Sequence, residues 1–362
     1  MIPPQPSART AGQAASGWPA WWLRRRWQAW LLLPLSGLFG ALAALRRLAY
    51  RHGWRRSWRA PLPVIVVGNV TVGGTGKTPL VLAIAQHLSR SGWKPGIVSR
   101  GHGRKNMGPE PLQVEPDADP ATTGDEPLLL RRFAVCPVWV GRRRVAAAQA
   151  LLRAHPEVDV LLSDDGLQHL ALARDVELVV TDLRGPGNGW LLPAGPLREP
   201  WNRPRDATLG PALRVTSQAS LSLAAPGFVL HRKLGLVRQL ATGERLSLNA
   251  FLLRHPGQAL AAAAGIGHPE QFFDMLRMAG ATLAITLALP DHHSFEVDPF
   301  RQLEAAALLI TEKDALKCKS SFPSLDRLWA VELLLEVDPA FFPWLLARLP
   351  ARPDHPHGFT PA

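Results

Sequence analysis

Residues 61–88 read PLPVIVVGNVTVGGTGKTPLVLAIAQHL, and this stretch decides the fold. Val64 to Val67 is an apolar, β-branched run that predicts a buried strand, and Pro79 to Ala83 opens a helical pattern. Between them lies a glycine-rich turn ending in Lys77-Thr78. Strand, glycine turn, Lys-Thr and helix together make a phosphate-cradling loop. Gly73, Gly74 and Gly76 let the backbone turn tightly and aim its N–H groups at phosphate oxygens, and the helix N-terminus adds partial positive charge. Gly73, Gly74, Thr75, Gly76, Lys77 and Thr78 are therefore the candidate ATP-binding residues, with Lys77 on the β/γ-phosphates and the Thr78 hydroxyl on Mg²⁺. The pattern departs from the full G-x-x-x-x-G-K-[ST] form, because Thr71 stands where the first glycine is expected. Val72 occupies the place where variant loops carry an early lysine.

Upstream, the charge is unevenly placed. The net charge is +12, yet residues 1–60 hold ten arginines and no Asp, Glu or Lys. A nucleic-acid enzyme spreads its basic surface over the catalytic body, so no nucleic-acid partner is expected. Residues 1–16 are Pro/Ala/Ser/Gly-rich and read as disordered. Seven of the thirteen tryptophans fall between Trp18 and Trp58, and Trp27 to Leu45 is an uncharged run of 19 residues. That length also suits a bilayer span, but arginines flank it on both sides and Pro34 interrupts it. Helices lying in the headgroup region of an anionic membrane fit better, with spanning as the alternative. Cys136 and Cys318 lie far apart without metal-ligand spacing, which implies neither a disulfide scaffold nor a metal framework.

Downstream, Lys94 to Arg100 reads as a second strand, residues 104–123 as loop, and Asp125 as a helix N-cap followed by Pro127. Val158 to Asp165 is an apolar strand ending in two carboxylates, the place and chemistry of an acid that holds Mg²⁺. Arg142-Arg143-Arg144 reads as a solvated helix start, with a contribution of Arg144 to the site as the alternative, and 184–200 as a long loop too apolar for disorder. Phe228 to Leu248 suggests a hairpin about Ala241-Thr242-Gly243-Glu244. Strands over 259–266, 282–289, 308–311 and 328–337, with helices over 269–280 and 297–307, then complete a second unit.

The expected fold class is α/β: a P-loop NTPase-type, mostly parallel sheet with a second, smaller α/β domain and an N-terminal membrane-associated helical segment. The expected boundaries are 1–60 for the start and Trp/Arg-rich segment, 61–226 for the core, 227–250 for the hairpin-like linker, 251–345 for the smaller domain and 346–362 for the tail.

Eight motifs in order resemble those of the tetraacyldisaccharide 4'-kinase family: GNVTVGGTGKTP (68–79), SRGHGR (99–104), TGDEP (123–127), SDDGLQH (163–169), WLLPAGPLREP (190–200), AGIGHPEQF (264–272), PDHHSF (290–295) and TEKDA (311–315). The resemblance spans roughly residues 15–337, with His102 where the family pattern has tyrosine. It implies a kinase acting on an acylated glucosamine disaccharide phosphate at the cytoplasmic face of the Gram-negative inner membrane, using ATP and Mg²⁺. It implies that Asp165 and Gln168, with Asp164 alongside, serve Mg²⁺. It makes Asp125 the catalytic carboxylate, paired with a DHH histidine, His292 in preference to His293. Arg100, Arg198 and Glu199 would line the active site. The competing function class is a membrane-associated P-loop ATPase or GTPase acting as a partner-regulated module; Lys313 and Asp314 do not fit a guanine-reading NKxD spacing.

Overall fold

The computed structural model describes residues 18–350, apart from 102, 103, 105–107, 109, 211–225, 292, 294, 319 and 320. The expected disorder of 1–16, most of the 346–362 tail, His102 and His292 thus lie outside the described residues.

The first unit holds β1 (Val64–Gly68), β2 (Pro95–Ser99), β3 (Leu112–Gln113), β4 (Val138–Val140), β5 (Val160–Asp164), β6 (Val176–Val180) and β7 (Ala207–Gly210). After these come the long β8 (Gly227–Gln239) and short β9 (Arg245–Ser247). The second unit holds β10 (Leu260–Ala264), β11 (Leu283–Ala288), β12 (Ala307–Thr311) and β13 (Leu328–Val337). All belong to one sheet, ordered β11-β10-β12-β13-β8-β7-β6-β1-β5-β2-β4-β3, with β9 paired to β8.

The glycine-loop strand β1 lies between β5 and β6, parallel to both, and Val67 sits opposite Asp164. Every residue of β1, β2 and β5 is buried, as parallel strands covered on both faces require. One face is covered by the helices Lys77–Arg90, Asp125–Phe133 and Phe341–Leu346, the other by Arg144–Ala154. Leu80, Ile84 and Leu88 repeat at i, i+4, i+8 and are fully buried, each contributing about 1.5–3 kcal/mol. The smaller unit buries Phe272, Phe273 and Leu276 of the helix Pro269–Met278 on its part of the sheet.

β8 joins the units. Its first residues pair parallel with β7, and the rest pairs antiparallel with β13. It then turns through residues 240–244 and pairs antiparallel with β9, Arg238 opposite Arg245.

Three expectations fail locally. Residues 104–123 contain β3 and a short helix, Pro120–Thr123, whose N-cap Asp119 accepts from Ala121 N–H. No helix forms over 297–307. Asp298 instead accepts from Phe300 N–H and from the Ser324 hydroxyl at 2.8 and 2.7 Å, and these side-chain bonds replace a helical ladder. Asp125 is not a cap either: Gly124 holds that position with φ 91° and ψ 149°, conformations only glycine adopts readily, and Asp125 starts the helix.

The N-terminal segment forms helices Ala20–Leu23, Trp27–Leu31 and Leu33–Arg51. Pro34 does not break a helix but sits in the first turn of the third, where its missing N–H is harmless. No helix among the described residues is long and apolar enough to cross a membrane.

Candidate active site

The carboxyl ends of β1, β5 and β2 lie side by side, where open α/β sheets bind their ligands. From β1 the chain runs into Asn69, which is fully buried. Its Nδ2 donates to the Gly73 carbonyl at 2.9 Å, and its Oδ1 accepts from Lys77 Nζ at 3.2 Å. Gly73 and Gly76 have φ of 101° and 85°, so the turn needs glycine at both. A Cβ on Gly74 would meet nothing within 4 Å, which leaves its backbone open to a ligand.

Thr71 and Val72 need no glycine because they are extended and paired. Thr71 bridges Leu197, Val72 N–H donates to Pro196 O at 3.0 Å, and Arg198 N–H donates to Val70 O at 2.7 Å. This pairing presents Arg198 to Asp165, Nη1 to Oδ1 at 3.5 Å, while Lys77 Nζ reaches the same oxygen at 3.5 Å. Lys77, Asp165 and Arg198 therefore converge on one point.

The two aspartates are not equivalent. Asp164 is 1% exposed; Oδ2 accepts from Ser99 Oγ at 3.0 Å and buried Oδ1 has no hydrogen-bond partner. Burial, then Glu126 and Asp165, push its carboxyl up to about 7. Asp165 adopts φ 48°, which Asp tolerates. Burial pushes its carboxyl up, but Lys77, Arg198 and Arg144 outweigh it and hold it below the usual carboxylate range. Both aspartates carry an oxygen that accepts no hydrogen bond, and hard oxygen donors are what Mg²⁺ takes. Among the described residues no group of three or more His, Cys, Asp or Glu could hold a metal. Thr78 is 7% exposed in the first turn of the glycine-loop helix, and Thr75 Oγ1 is buried without a partner.

Gln168 turns its amide towards Asn69 O and Glu199 Oε1, at 3.3 and 3.4 Å. Glu199 is 4% exposed and bonded by Arg203 at 2.8 Å, so it braces Gln168 from beneath instead of facing open space. Arg100 is exposed at the end of β2. Burial first, then Arg144, Arg174, Arg46 and Arg100, push the His169 imidazole down to about 4.

Three contributors escape sequence reasoning, and a fourth was only the alternative reading. Arg144, read first as solvated, is 3% exposed and donates to Gly141 O and Asp164 O, both at 3.1 Å. Its signal was available: a cation in the first helical turn opposes the macrodipole. Arg232 of β8 donates to Thr75 O at 3.1 Å and Gln271 Oε1 at 2.9 Å, tying the glycine loop to the second unit. Lys317 places Nζ 3.1 Å from Asp125 Oδ2. Trp18 Nε1 donates to Val72 O at 2.9 Å, so the N-terminal segment touches the glycine loop.

That segment is built into the 184–200 loop. Asn188 Nδ2 donates to Trp21 O and Ala194 O at 2.7 and 2.8 Å, Trp22 Nε1 to Pro193 O at 2.9 Å, and Ser36 Oγ to Leu191 O at 2.8 Å. Trp30 packs edge-on against Trp190 at 4.8 Å.

Between the units lies a cavity of about 320 Å³, lined by Gly74 to Thr78, Glu126, Gly267, Asp291 and Lys313 among others. Glu126 lines it, and Asp125, one residue earlier and 6% exposed, does not; Lys313 Nζ pairs with Asp291 at 3.0 Å. His293 is placed by its ring, whose Nδ1 accepts from Phe295 N–H at 3.2 Å.

The family model for LpxK, tetraacyldisaccharide-1-P 4'-kinase, matches residues 28–350. The chain belongs to this family. It is 47% identical over 342 residues to the tetraacyldisaccharide 4'-kinase of Herminiimonas arsenicoxydans, covering 91% of this chain and 94% of the relative. It is 48% identical over 341 residues to that of Delftia acidovorans, covering 93% and 96%. Among solved structures, LpxK from Aquifex aeolicus, an "apo" form in complex with ATP, aligns with a TM-score of 0.73 and 26% identity. That alignment covers 89% of this chain and 99% of the other.

Proposed function

We propose that this kinase transfers the γ-phosphoryl group of ATP to the 4'-hydroxyl of tetraacyldisaccharide 1-phosphate, forming lipid IVA in lipid A biosynthesis. The observation that carries this reading is the convergence of Lys77 and Arg198 on Asp165, with buried Asp125 one residue before Glu126, which lines the same cavity as Lys77. A phosphoryl transfer needs charge neutralisation and a positioned proton acceptor, and these residues supply both.

Thr78 and Asp165, with Gln168 and Asp164 beside them, would hold Mg²⁺. When bound, the ion neutralises phosphate charge. Backbone N–H groups of Gly74 to Thr78 bind phosphate oxygens, and Lys77 and Arg198 offset the charge on the transferred group. Asp125 accepts the proton of the acceptor hydroxyl as its oxygen bonds to the γ-phosphorus and the bond to the leaving ADP oxygen breaks. His292, by family resemblance, orients Asp125. Arg100 grips the acceptor's existing phosphate.

The same reading places the enzyme on the cytoplasmic face of the inner membrane. Leu35, Leu38, Leu42 and Leu45 form one stripe of the helix Leu33–Arg51, each 55–59% exposed, and Trp27 is 68% exposed nearby. A stripe of that kind among arginines suits the headgroup layer of an anionic bilayer.

The test incubates purified protein with γ-labelled ATP, Mg²⁺ and the disaccharide 1-phosphate in detergent, beside Asp125→Ala. Label on the lipid in wild type and its near loss in the variant are expected. ATP hydrolysis without lipid labelling would replace this reading with a partner-regulated ATPase.

A further inference from the structure

We infer that Lys317 is the counter-cation that fixes the charge and position of Asp125 from across the unit boundary. This rests on the reading of Asp125 as proton acceptor.

Lys317 follows the short helix Glu312–Ala315, so it belongs to the second unit, whereas Asp125 opens a helix of the first. Their side chains are only 6% and 9% exposed, and Nζ lies 3.1 Å from Asp125 Oδ2. The amine is flanked by Asp314 Oδ1 at 3.8 Å and by the Phe295 ring, whose centroid is 5.2 Å away.

Asp314 also draws on this lysine, since the oxygen facing Nζ, Oδ1, is buried without a hydrogen-bond partner, while its other oxygen is engaged within the second unit. Asp314 Oδ2 accepts from Gly265 N–H at 2.9 Å and from Thr311 Oγ1 at 2.6 Å, which joins the turns after β10 and β12. The closer contact of Lys317 is with Asp125. A buried carboxylate that must be ionised to accept a proton needs a cation beside it, because burial alone favours the neutral acid. Lysine at this distance supplies that charge.

Lys317 is not the sole partner of Asp125, to which the proposed function also assigns His292, but Lys313, Lys77 and Glu126 are engaged elsewhere or act in the opposite sense. Lys313 contributes from the same segment but is committed to Asp291 at 3.0 Å. Glu126, next on the Asp125 helix, acts in the opposite sense, and Lys77 on the adjoining helix pairs with Asp165. Strand β4, which also packs on this helix, carries no charge.

The sign of the effect follows. An opposite charge within about 4–6 Å lowers a carboxyl by about 1–3 units. Removing it therefore moves the acid limb of the pH–rate profile upward, and activity at lower pH falls roughly tenfold per unit.

The experiment measures kcat and kcat/KM between about pH 5 and 9 for wild type, K317M, K317R and D125N, with label transfer from ATP to the detergent-dispersed disaccharide 1-phosphate. The expected result is an acid limb raised by about one unit or more in K317M, recovery towards wild type at high pH, and an unchanged KM for ATP. K317R should return the limb towards its original position. An unshifted limb in K317M, or equal uniform losses in K317M and K317R, would reduce Lys317 to a packing residue. If K317M fails to fold, the limb of K317R decides: a wild-type limb supports the inference, and a raised limb overturns it. D125N separates the two failures. If D125N still transfers phosphate, the proton-acceptor reading falls and takes this inference with it. If D125N is inactive and the K317M limb is unmoved, only this inference falls.

Discussion

Arg198 stands over Asp165 because its own backbone is paired to Val70: one 2.7 Å bond from the Arg198 amide fixes where the 3.5 Å ion pair forms. The glycine loop and the 184–200 loop therefore share a register, and the guanidinium reaches the phosphate end of the site from a fixed strand-like support. Arg198→Ala should lower kcat by about 10²–10³ while leaving the KM for ATP within a few-fold, since the lost donor acts on developing charge. Arg198→Lys should recover only part of this, because an ammonium lacks the planar fork. Steady-state label transfer checks both; a kcat unchanged in Arg198→Ala would remove the arginine from the transfer step.

Asn69 organises the glycine loop by holding the Gly73 carbonyl and Lys77 at once. A hydrogen bond to a charged group contributes about 1.5–3 kcal/mol. Asn69→Ala should therefore weaken ATP binding by about tenfold to a hundredfold, read by nucleotide titration. Unaltered affinity would show that Lys77 keeps its place without the amide.

Burial pushes the Cys136 thiol up to about 12, and burial with Asp314 and Asp298 does the same to Cys318. The thiolate is the reactive form, so at pH 8 only about one molecule in ten thousand carries it at either site. Both thiols should be inert to a disulfide reagent in the native protein, should gain reactivity about tenfold per pH unit, and should react together on unfolding. Fast native reaction near pH 8 would contradict this environment.

The leucine stripe offers a direct test of membrane attachment. The double variant Leu38→Glu, Leu42→Glu places two carboxylates on exposed positions without touching the buried contacts of Ser36. Flotation with vesicles containing anionic lipid should drop at least tenfold, while transfer to detergent-dispersed acceptor persists. Equal flotation would move the attachment elsewhere.

What the sequence displayed, and what it hid, follows from the range of the contacts. Val64 to Val67 and Val160 to Asp164 announce themselves because a buried parallel strand is a contiguous apolar run. The acids at the end of β5, Asp164 and Asp165, are legible because the strand end dictates where they stand. Arg232 on Thr75, Lys317 on Asp125 and Trp18 on Val72 are separated in sequence by 157, 192 and 54 positions. No local period reports such pairs. Arg144 was half visible: the sequence singled it out among three arginines only as an alternative, and helix geometry turns it inward. The absent helix at 297–307 shows the reverse error, where one carboxylate, Asp298, outweighed a plausible helical composition.

The docking of the N-terminal helices has a last consequence. A flexible leash would let the catalytic body roam a hemisphere above the bilayer, meeting its acceptor at many heights and tilts. Helices pinned through Trp22, Ser36 and Asn188 behave as a strut. On the proposed membrane attachment, the leucine stripe and Arg198 would keep a constant separation, and the sugar hydroxyl of a lipid still seated in its leaflet would arrive at the same elevation. Substrate reach becomes a matter of carpentry, set by the length of the strut and not by the wandering of a chain.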